Sequence, residues 1–224
     1  LLVVDEAAAL SVRLLGATLD ADRVAYASTV HGYEGAGRGF SVRFREHLDD
    51  SDHDIRECRL AAPIRYAAGD PVEVWSFDAL GLDARPPVEQ LVADATPDSV
   101  SYERIDGDDL LADPTLLRET FGLLVLAHYR TEPDDLARLL DAPNLTVRAL
   151  THGGHVVSVA LLAREGDLDA ETAAGMYEGD RIRGNMIPDV LVSQVRDEAA
   201  AAPVGYRVVR IATHHAVRSS GLGS

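Results

Sequence analysis

Leu1-Leu2-Val3-Val4-Asp5-Glu6 opens the chain and decides how its first third is read. Four consecutive apolar residues suit a parallel-sheet strand buried on both faces. The strand then delivers two carboxylates at its carboxyl end, where α/β sheets take ligands. Working outward, Ala7 to Leu15 suits a helix that Gly16 can end, and Val24 to Thr29 reads as a second strand. A glycine-rich loop follows from Gly32 to Gly39, carrying Glu34 and Arg38. Its glycines let backbone N–H groups turn toward an anion, although the same composition also makes a plain surface loop. Phe40 to Leu48 continues as strand or helix into Asp49-Asp50-Ser51-Asp52. This order is the grammar of an α/β nucleotide-binding domain. There Asp5 would hold Mg²⁺ and Glu6 would orient an attacking water. Taken alone, the string better suits a plain strand followed by a helix whose first turn favours acidic residues. The chain contains no Lys, so a GxxxxGK[ST] phosphate loop cannot occur in it and would have to precede Leu1.

The 224 residues allow one large domain or two modest ones, and 46% hydrophobic content is enough to bury a core. Acidic residues number 37 and basic ones 21, giving a formal charge of −16, and every basic residue is Arg. Such a charge repels itself in dilute salt but is screened at molar salt, where the Debye length is about 3 Å. The pattern points to a salt-rich cytoplasm, as in a halophile. Codon bias would replace Lys by Arg without producing the acidic excess. The single Cys58 excludes an intrachain disulfide and reads as a packed or half-exposed thiol. No apolar run reaches the roughly 18 residues of a membrane span. The start without Met and the end on Gly221-Leu222-Gly223-Ser224 read as cuts within a longer protein.

Pro71 to Leu80 reads as a short helix and Asp83 to Pro87 as a connector, which puts a domain boundary between residues 85 and 86. Val100 to Ile105 is a strand. Asp113 or Thr115 caps a helix running to Tyr129, with Leu116, Leu117, Phe121, Leu124 and Val125 on one face. Pro133 starts another helix, through Leu140. Leu145 to Leu150 and Val156 to Ala163 form a hairpin around His152-Gly153-Gly154-His155. Pro188 to Ala202 has a helical pattern, and Arg207 to Thr213 is the last strand. The histidine pairs 152/155 and 214/215 lack helical spacing and a carboxylate set, so they read as turn or surface residues.

That last strand runs into Arg218-Ser219-Ser220-Gly221-Leu222-Gly223, which resembles the R/Q-x-x-G-x-G/A signature of GNAT acetyltransferases. The resemblance implies a strand whose free edge pairs with the pantetheine arm of acetyl-CoA. Backbone amides of the glycine loop would then hold the pyrophosphate.

The blocks taken together resemble the tRNA(Met) cytidine acetyltransferase family. They are Asp5 to Ala9, Ala27 to Arg38, Ile64 to Asp70, Ala127-His128-Tyr129-Arg130, Gly184-Asn185-Met186-Ile187-Pro188 and Arg207 to His214. His215 departs from it, standing where many relatives carry Pro. The resemblance implies an α/β fold with the C-terminal part of a RecA-like ATPase module over residues 1–85. The N-terminal part of a GNAT module would follow over 86–224. It implies ATP binding by Asp5, Glu6 and Arg65, with Mg²⁺ on Asp5. It implies acetyl-CoA binding by Ile211, Ala212 and Thr213 with Arg218, Ser219, Ser220, Gly221, Leu222, Gly223 and Ser224. The activity implied is acetyl transfer to N4 of a tRNA cytidine, coupled to ATP hydrolysis. His128 is the candidate general base, since His is the usual base near neutral pH. A helix C-terminus would also favour a purely structural His⁺ there. Two other functions remain open on the motifs: a GNAT enzyme of protein or small-molecule amines, and an ATP-dependent RNA remodelling factor.

Overall fold

The computed structural model describes residues 1–29, 44–127, 131 and 133–223. The expected glycine loop at 32–39 lies outside these residues, as do His128 and Ser224. The chain divides into two compact units, Leu1–Pro86 with Leu117–Leu136, and Pro87–Leu116 with Ala137–Ser224.

In the first unit β1 (Leu2–Val4) pairs in parallel with β2 (Val24–Tyr26), Val4 opposite Tyr26. Parallel neighbours need a crossover between them, and α1 (Val12–Thr18) supplies it. The expected single helix from Ala7 to Leu15 is instead a 3-10 turn, Ala7–Ala9, followed by α1. The break comes at Ser11, whose hydroxyl caps α1 by accepting the Leu14 N–H. Gly16 therefore sits inside α1 and does not end it. Nor is β1 buried on both faces: Val4 is buried, while Val3 is 64% exposed. Val4, Ala7, Leu15 and Phe44 form the core here, with Tyr26 meeting Phe44 edge to face at 5.0 Å. Of the stretch from Phe40 to Leu48, the described part is helical, as α2 (Arg45–Asp49).

The helix expected at Pro71–Leu80 is present, as α3. Pro71 is pre-set for a first helical position, the Asp70 carboxylate accepts the Val72 and Glu73 N–H groups, and Gly81 at φ 57° ends it. Arg118 pairs with Asp78 at 2.5 Å and reaches Asp83 at 3.7 Å. Gly122 admits no side chain, because a Cβ there would lie 2.3 Å from the Arg85 carbonyl carbon.

The second unit is built on a four-stranded antiparallel sheet in the order β3 (Ser101–Ile105), β4 (Leu145–His152), β5 (His155–Glu165), β6 (Gly205–Thr213). The hairpin between β4 and β5 turns on Gly153 and Gly154, at φ 58° and 85°. Two successive positive φ values match the right-handed strand twist and exclude most other residues. Beside the turn, His152 contacts Ser99 Oγ at 3.0 Å and Asp94 Oδ1 at 3.2 Å.

Between β3 and β4 lie α4 (Gly107–Ala112), α5 (Pro114–Ala127) and α6 (Pro133–Asp141). The sequence reading left out α4, a short helix closed by a reciprocal Asp106–Asp109 capping box. Asp113, rather than Thr115, caps α5 by accepting the Thr115 and Leu116 N–H groups. On α5 Phe121, Leu124 and Val125 are buried as expected, and Glu119 and Thr120 are buried beside them.

Between β5 and β6 lie α7 (Ala170–Glu178), also left out of the sequence reading, and α8 (Met186–Ser193). Ala-rich and short of large apolar residues, α7 carries little periodic signal. The helix expected over Pro188–Ala202 stops at Ser193, and a separate 3-10 turn spans Glu198–Ala201. Arg196, at φ 65°, leaves the helical region, and Asp197 caps the new turn. Cys58, expected to be packed or half-exposed, is exposed. Among the described residues no helix is long and apolar enough to cross a membrane.

Candidate functional site

Two sites emerge, one in each unit. In the first, the carboxyl ends of β1 and β2 are laced together. Ala27 N–H donates to the Val4 carbonyl and Ala7 N–H to the Ala27 carbonyl, both at 2.9 Å. The Ala8 N–H donates to Ser28 Oγ at 3.3 Å. This lacing sets Asp5 and Glu6 in the turn beside Ser28, with both carboxylates exposed. Asp5 Oδ1 accepts the Glu6 N–H at 3.0 Å. Glu6 itself has φ 48° and ψ 43°, a left-handed conformation that costs a non-glycine residue on the order of 1–3 kcal/mol. Strain of this kind persists only where the surroundings impose it, and here the backbone bonds on both sides of Glu6 do so.

No group of three His, Cys, Asp or Glu able to hold a metal occurs among the described residues. An exposed carboxylate at a strand end suits Mg²⁺ that is bound mainly through substrate phosphates and water, and Asp5 fits that use. Arg65 lies in an exposed, irregular stretch before α3, and no described contact brings it to Asp5 or Glu6.

In the second unit β6 is the last strand of its sheet and pairs on one side only among the described residues. Ile211 is 50% exposed, Ala212 is buried opposite Val159, and Thr213 stands opposite Ser158. The pairing skips one residue between Leu161↔Arg210 and Leu162↔Val208, which makes Val209 a bulge. Bulges bend an edge strand and re-aim its side chains, and no periodic signal in the sequence announced this one.

His214 follows the strand and caps the next turn, as its reading as a turn residue allows, but at 1% exposed it is not a surface residue. Its N–H donates to the Val157 carbonyl at 2.8 Å. Nδ1 accepts the Ala216 N–H at 3.2 Å, so Nε2 carries the proton and donates to the Pro87 carbonyl at 3.0 Å. The histidine thus locks the strand end to the turn that follows it.

That turn, His215–Val217, leads into the glycine loop. Val217 and Leu222 bury themselves with Val92, Ala95 and Val157, which leaves Arg218, Ser219 and Gly221 exposed between two anchors and Gly223 exposed just past the second. Ser219 and Gly221 have φ 64° and 84°. Gly221 is glycine for its backbone angle, since the nearest atom to a Cβ there is 3.8 Å away. Gly223 is glycine for space: a Cβ would stand 2.6 Å from Thr213 Oγ1, which itself hydrogen-bonds Ser158 Oγ at 2.9 Å. The structure therefore brings Ile211, Ala212 and Thr213 together with Arg218 through Gly223. An open strand edge beside an exposed loop with positive-φ residues can bind an extended ligand that ends in an anion.

Residues 1–83 match the family described as RNA cytidine acetyltransferase NAT10/TcmA, helicase domain. Residues 119–224 match the family described as GNAT acetyltransferase 2. Over 223 residues, all of this chain, it is 74% identical to the tRNA(Met) cytidine acetyltransferase TmcA of Haloferax volcanii. It is 70% identical to that of Haloarcula marismortui over 99% of the chain, and 44% identical to that of Pyrococcus furiosus over all of it. The chain spans 30%, 29% and 28% of the length of these relatives.

Proposed function

Because the chain belongs to the RNA cytidine acetyltransferase family, an α/β helicase-domain segment followed by a GNAT segment, we propose that its protein acetylates a cytidine of tRNA. In this reading acetyl-CoA donates its acetyl group to N4 of the base, the wobble cytidine of elongator tRNA-Met, and ATP hydrolysis drives the presentation of that base. Residues 1–85 carry the ATPase part and 86–224 the acetyltransferase part. The work is cytoplasmic.

The observation that carries the proposal is the joining, in one chain, of the Asp5–Glu6 strand end with the β6 edge and its glycine loop. Asp5, with Mg²⁺ when bound, would take the ATP phosphates. Glu6 would orient the attacking water, and Arg65 would contact ATP. At the other site, Arg218 and the amides of residues 219–224 would hold the pyrophosphate. The β6 edge at Ile211 to Thr213 would align the pantetheine arm.

The exocyclic amine of cytidine is conjugated with its ring and is a poor nucleophile, so positioning against the thioester dominates. N4 attacks the thioester carbonyl and loses a proton, and coenzyme A departs as the C–S bond breaks. Backbone amides near the end of β6 would hold the oxyanion. His128 is proposed as the base. A stacked base is out of reach of such a site, which gives ATP hydrolysis its task.

The experiment incubates the full-length protein and its His128→Ala form with tRNA, acetyl-CoA and ATP, followed by nucleoside mass spectrometry. N4-acetylcytidine is expected with the parent and is lost in the variant, with ATP hydrolysis kept. No N4-acetylcytidine from the parent would favour a GNAT enzyme of other amines or a remodelling factor. A variant as active as the parent would remove His128 from the mechanism.

A further inference from the structure

The segment Arg181–Ile187, which links α7 to the first residues of α8, is held more firmly than a surface connection requires. Glu165, whose side chain is 2% exposed, stands at its root. One carboxylate oxygen accepts the Arg207 Nε–H at 2.6 Å, and the other accepts the Ile187 N–H at 2.9 Å. Next to it, Asn185 Oδ1 accepts the Gly166 N–H at 2.9 Å. Burying a carboxylate is costly even when it is paired, and well-packed apolar residues often serve stability better. What the pair fixes is geometry: the end of β5, the start of β6 and the entry to α8 meet at one carboxylate.

The segment so held presents two cations and two apolar side chains together. Ile182 packs against the cluster of Ala173, Met176, Val192 and Ala201, and its neighbours Arg181 and Arg183 are both exposed. In a chain of charge −16, Arg181 and Arg183 stand two residues apart with no ion-pair or hydrogen-bond partner among the described residues, which leaves both guanidinium groups available to an anion. The adjacent Asp180 carboxylate faces α7 instead, lying 2.8 Å from where a Gly175 Cβ would be. Exposed Met186 and Ile187 complete the patch.

Its place on the sheet matters. Glu165 pairs with Gly205 at the start of β6, whereas the glycine loop lies beyond Thr213 at its end, roughly 25 Å away at about 3.3 Å per residue. With pyrophosphate at that loop and pantetheine along the strand edge, the thioester points back toward the start of β6. We propose that Arg181 and Arg183 bind phosphates of the acceptor RNA strand, that Met186 and Ile187 give an apolar rest for a base, and that Glu165 positions this surface. The inference rests on the acetyltransferase reading above and adds to it the surface that meets the RNA. Guanidinium forks suit phosphate oxygens, and phosphate contacts fix the register of a bound strand without reading its sequence.

The test compares the full-length protein with its Arg181→Gln/Arg183→Gln and Arg181→Lys/Arg183→Lys forms. Binding of fluorescent tRNA is measured by anisotropy across a KCl series, with acetyl-CoA affinity and ATP hydrolysis as folding controls. Losing two phosphate contacts should lower the slope of log K against log[KCl] by about 1.4 and weaken binding about tenfold or more, while the lysine pair keeps the slope. A glutamine pair with the parental slope and affinity overturns the proposal. So does a glutamine pair that loses affinity only for an acidic peptide such as polyglutamate, which would make the patch a protein-docking surface. If the parent itself neither binds nor acetylates tRNA, the acetyltransferase reading fails first, before any variant is compared.

Discussion

Gly223→Ala tests whether the glycine loop is shaped by the end of β6. The added Cβ would stand 2.6 Å from Thr213 Oγ1, 3.5 Å from Thr213 Cβ and 3.9 Å from Cγ2. Only the first distance is prohibitive. Threonine is stiff about χ1, and its hydroxyl is already engaged with Ser158 Oγ at 2.9 Å. Relief comes from turning Thr213, which forfeits a hydrogen bond worth about 0.5–1.5 kcal/mol. The alternative is displacing the loop, at an overpacking cost of about 1–3 kcal/mol. Whichever relief the site takes, the loss is about 0.5–3 kcal/mol, or roughly 2- to 150-fold in acetyl-CoA affinity by titration calorimetry. A cycle with Thr213→Ala separates this cause from others. With Oγ1 gone the nearest atom is Thr213 Cβ at 3.5 Å, an ordinary contact. Gly223→Ala should then cost less than about 1 kcal/mol, whereas Thr213→Ser, which keeps the hydroxyl, should give no relief. Gly221→Ala is the control: its cost of about 1–2 kcal/mol arises from φ 84° and should not depend on Thr213. Equal cost of Gly223→Ala in both Thr213 backgrounds would refute the steric argument and leave direct approach of the ligand as the reason for glycine.

Four further outcomes are expected. Asp5→Ala should abolish ATP hydrolysis by the full-length protein; retained hydrolysis would remove the strand-end carboxylate from the ATP site. Lowering KCl from molar to millimolar should lower the melting temperature by restoring repulsion among the 37 acidic residues, and a midpoint indifferent to salt would contradict this. Glu165→Ala should destabilise the protein by about 3–5 kcal/mol, because it leaves the Arg207 guanidinium and the Ile187 N–H without their acceptor; denaturant midpoints measure it, and a change below about 1 kcal/mol would mean that neither group depends on the carboxylate. The Asp169 carboxyl is held below its ordinary value of 3.8 by the Thr172 N–H at the start of α7. Its contribution is therefore present above that value and lost as pH falls through the lowered one, and Asp169→Asn should flatten that part of the acid-unfolding profile.

The sequence by itself determined the elements whose signals are local. Asp70, Pro71 and Gly81 mark both ends of α3, and Gly153-Gly154 fixes the β4–β5 turn, because capping and positive φ are decided within a few residues. The order of strand, acidic pair and glycine loop likewise placed Asp5, Glu6 and residues 218–223 at the ends of strands. Helix continuity misled where the apolar pattern ran past a cap, as at Ser11 and Asp197, and α7 escaped notice because alanine gives no contrast between faces.

Tertiary structure alone decided the rest. His214 reads as polar and terminal, yet it is buried because a carbonyl at Pro87, 127 residues away in sequence, accepts its Nε2 proton. Gly221 and Gly223 look alike in sequence, but one answers to a backbone angle and the other to Thr213, which stands across the loop from it. Glu165 is one acidic residue among 37, and only folding sets it against Arg207 and Ile187. Burial and close approach depend on which distant segments meet, and a local pattern of residue types carries no record of that meeting.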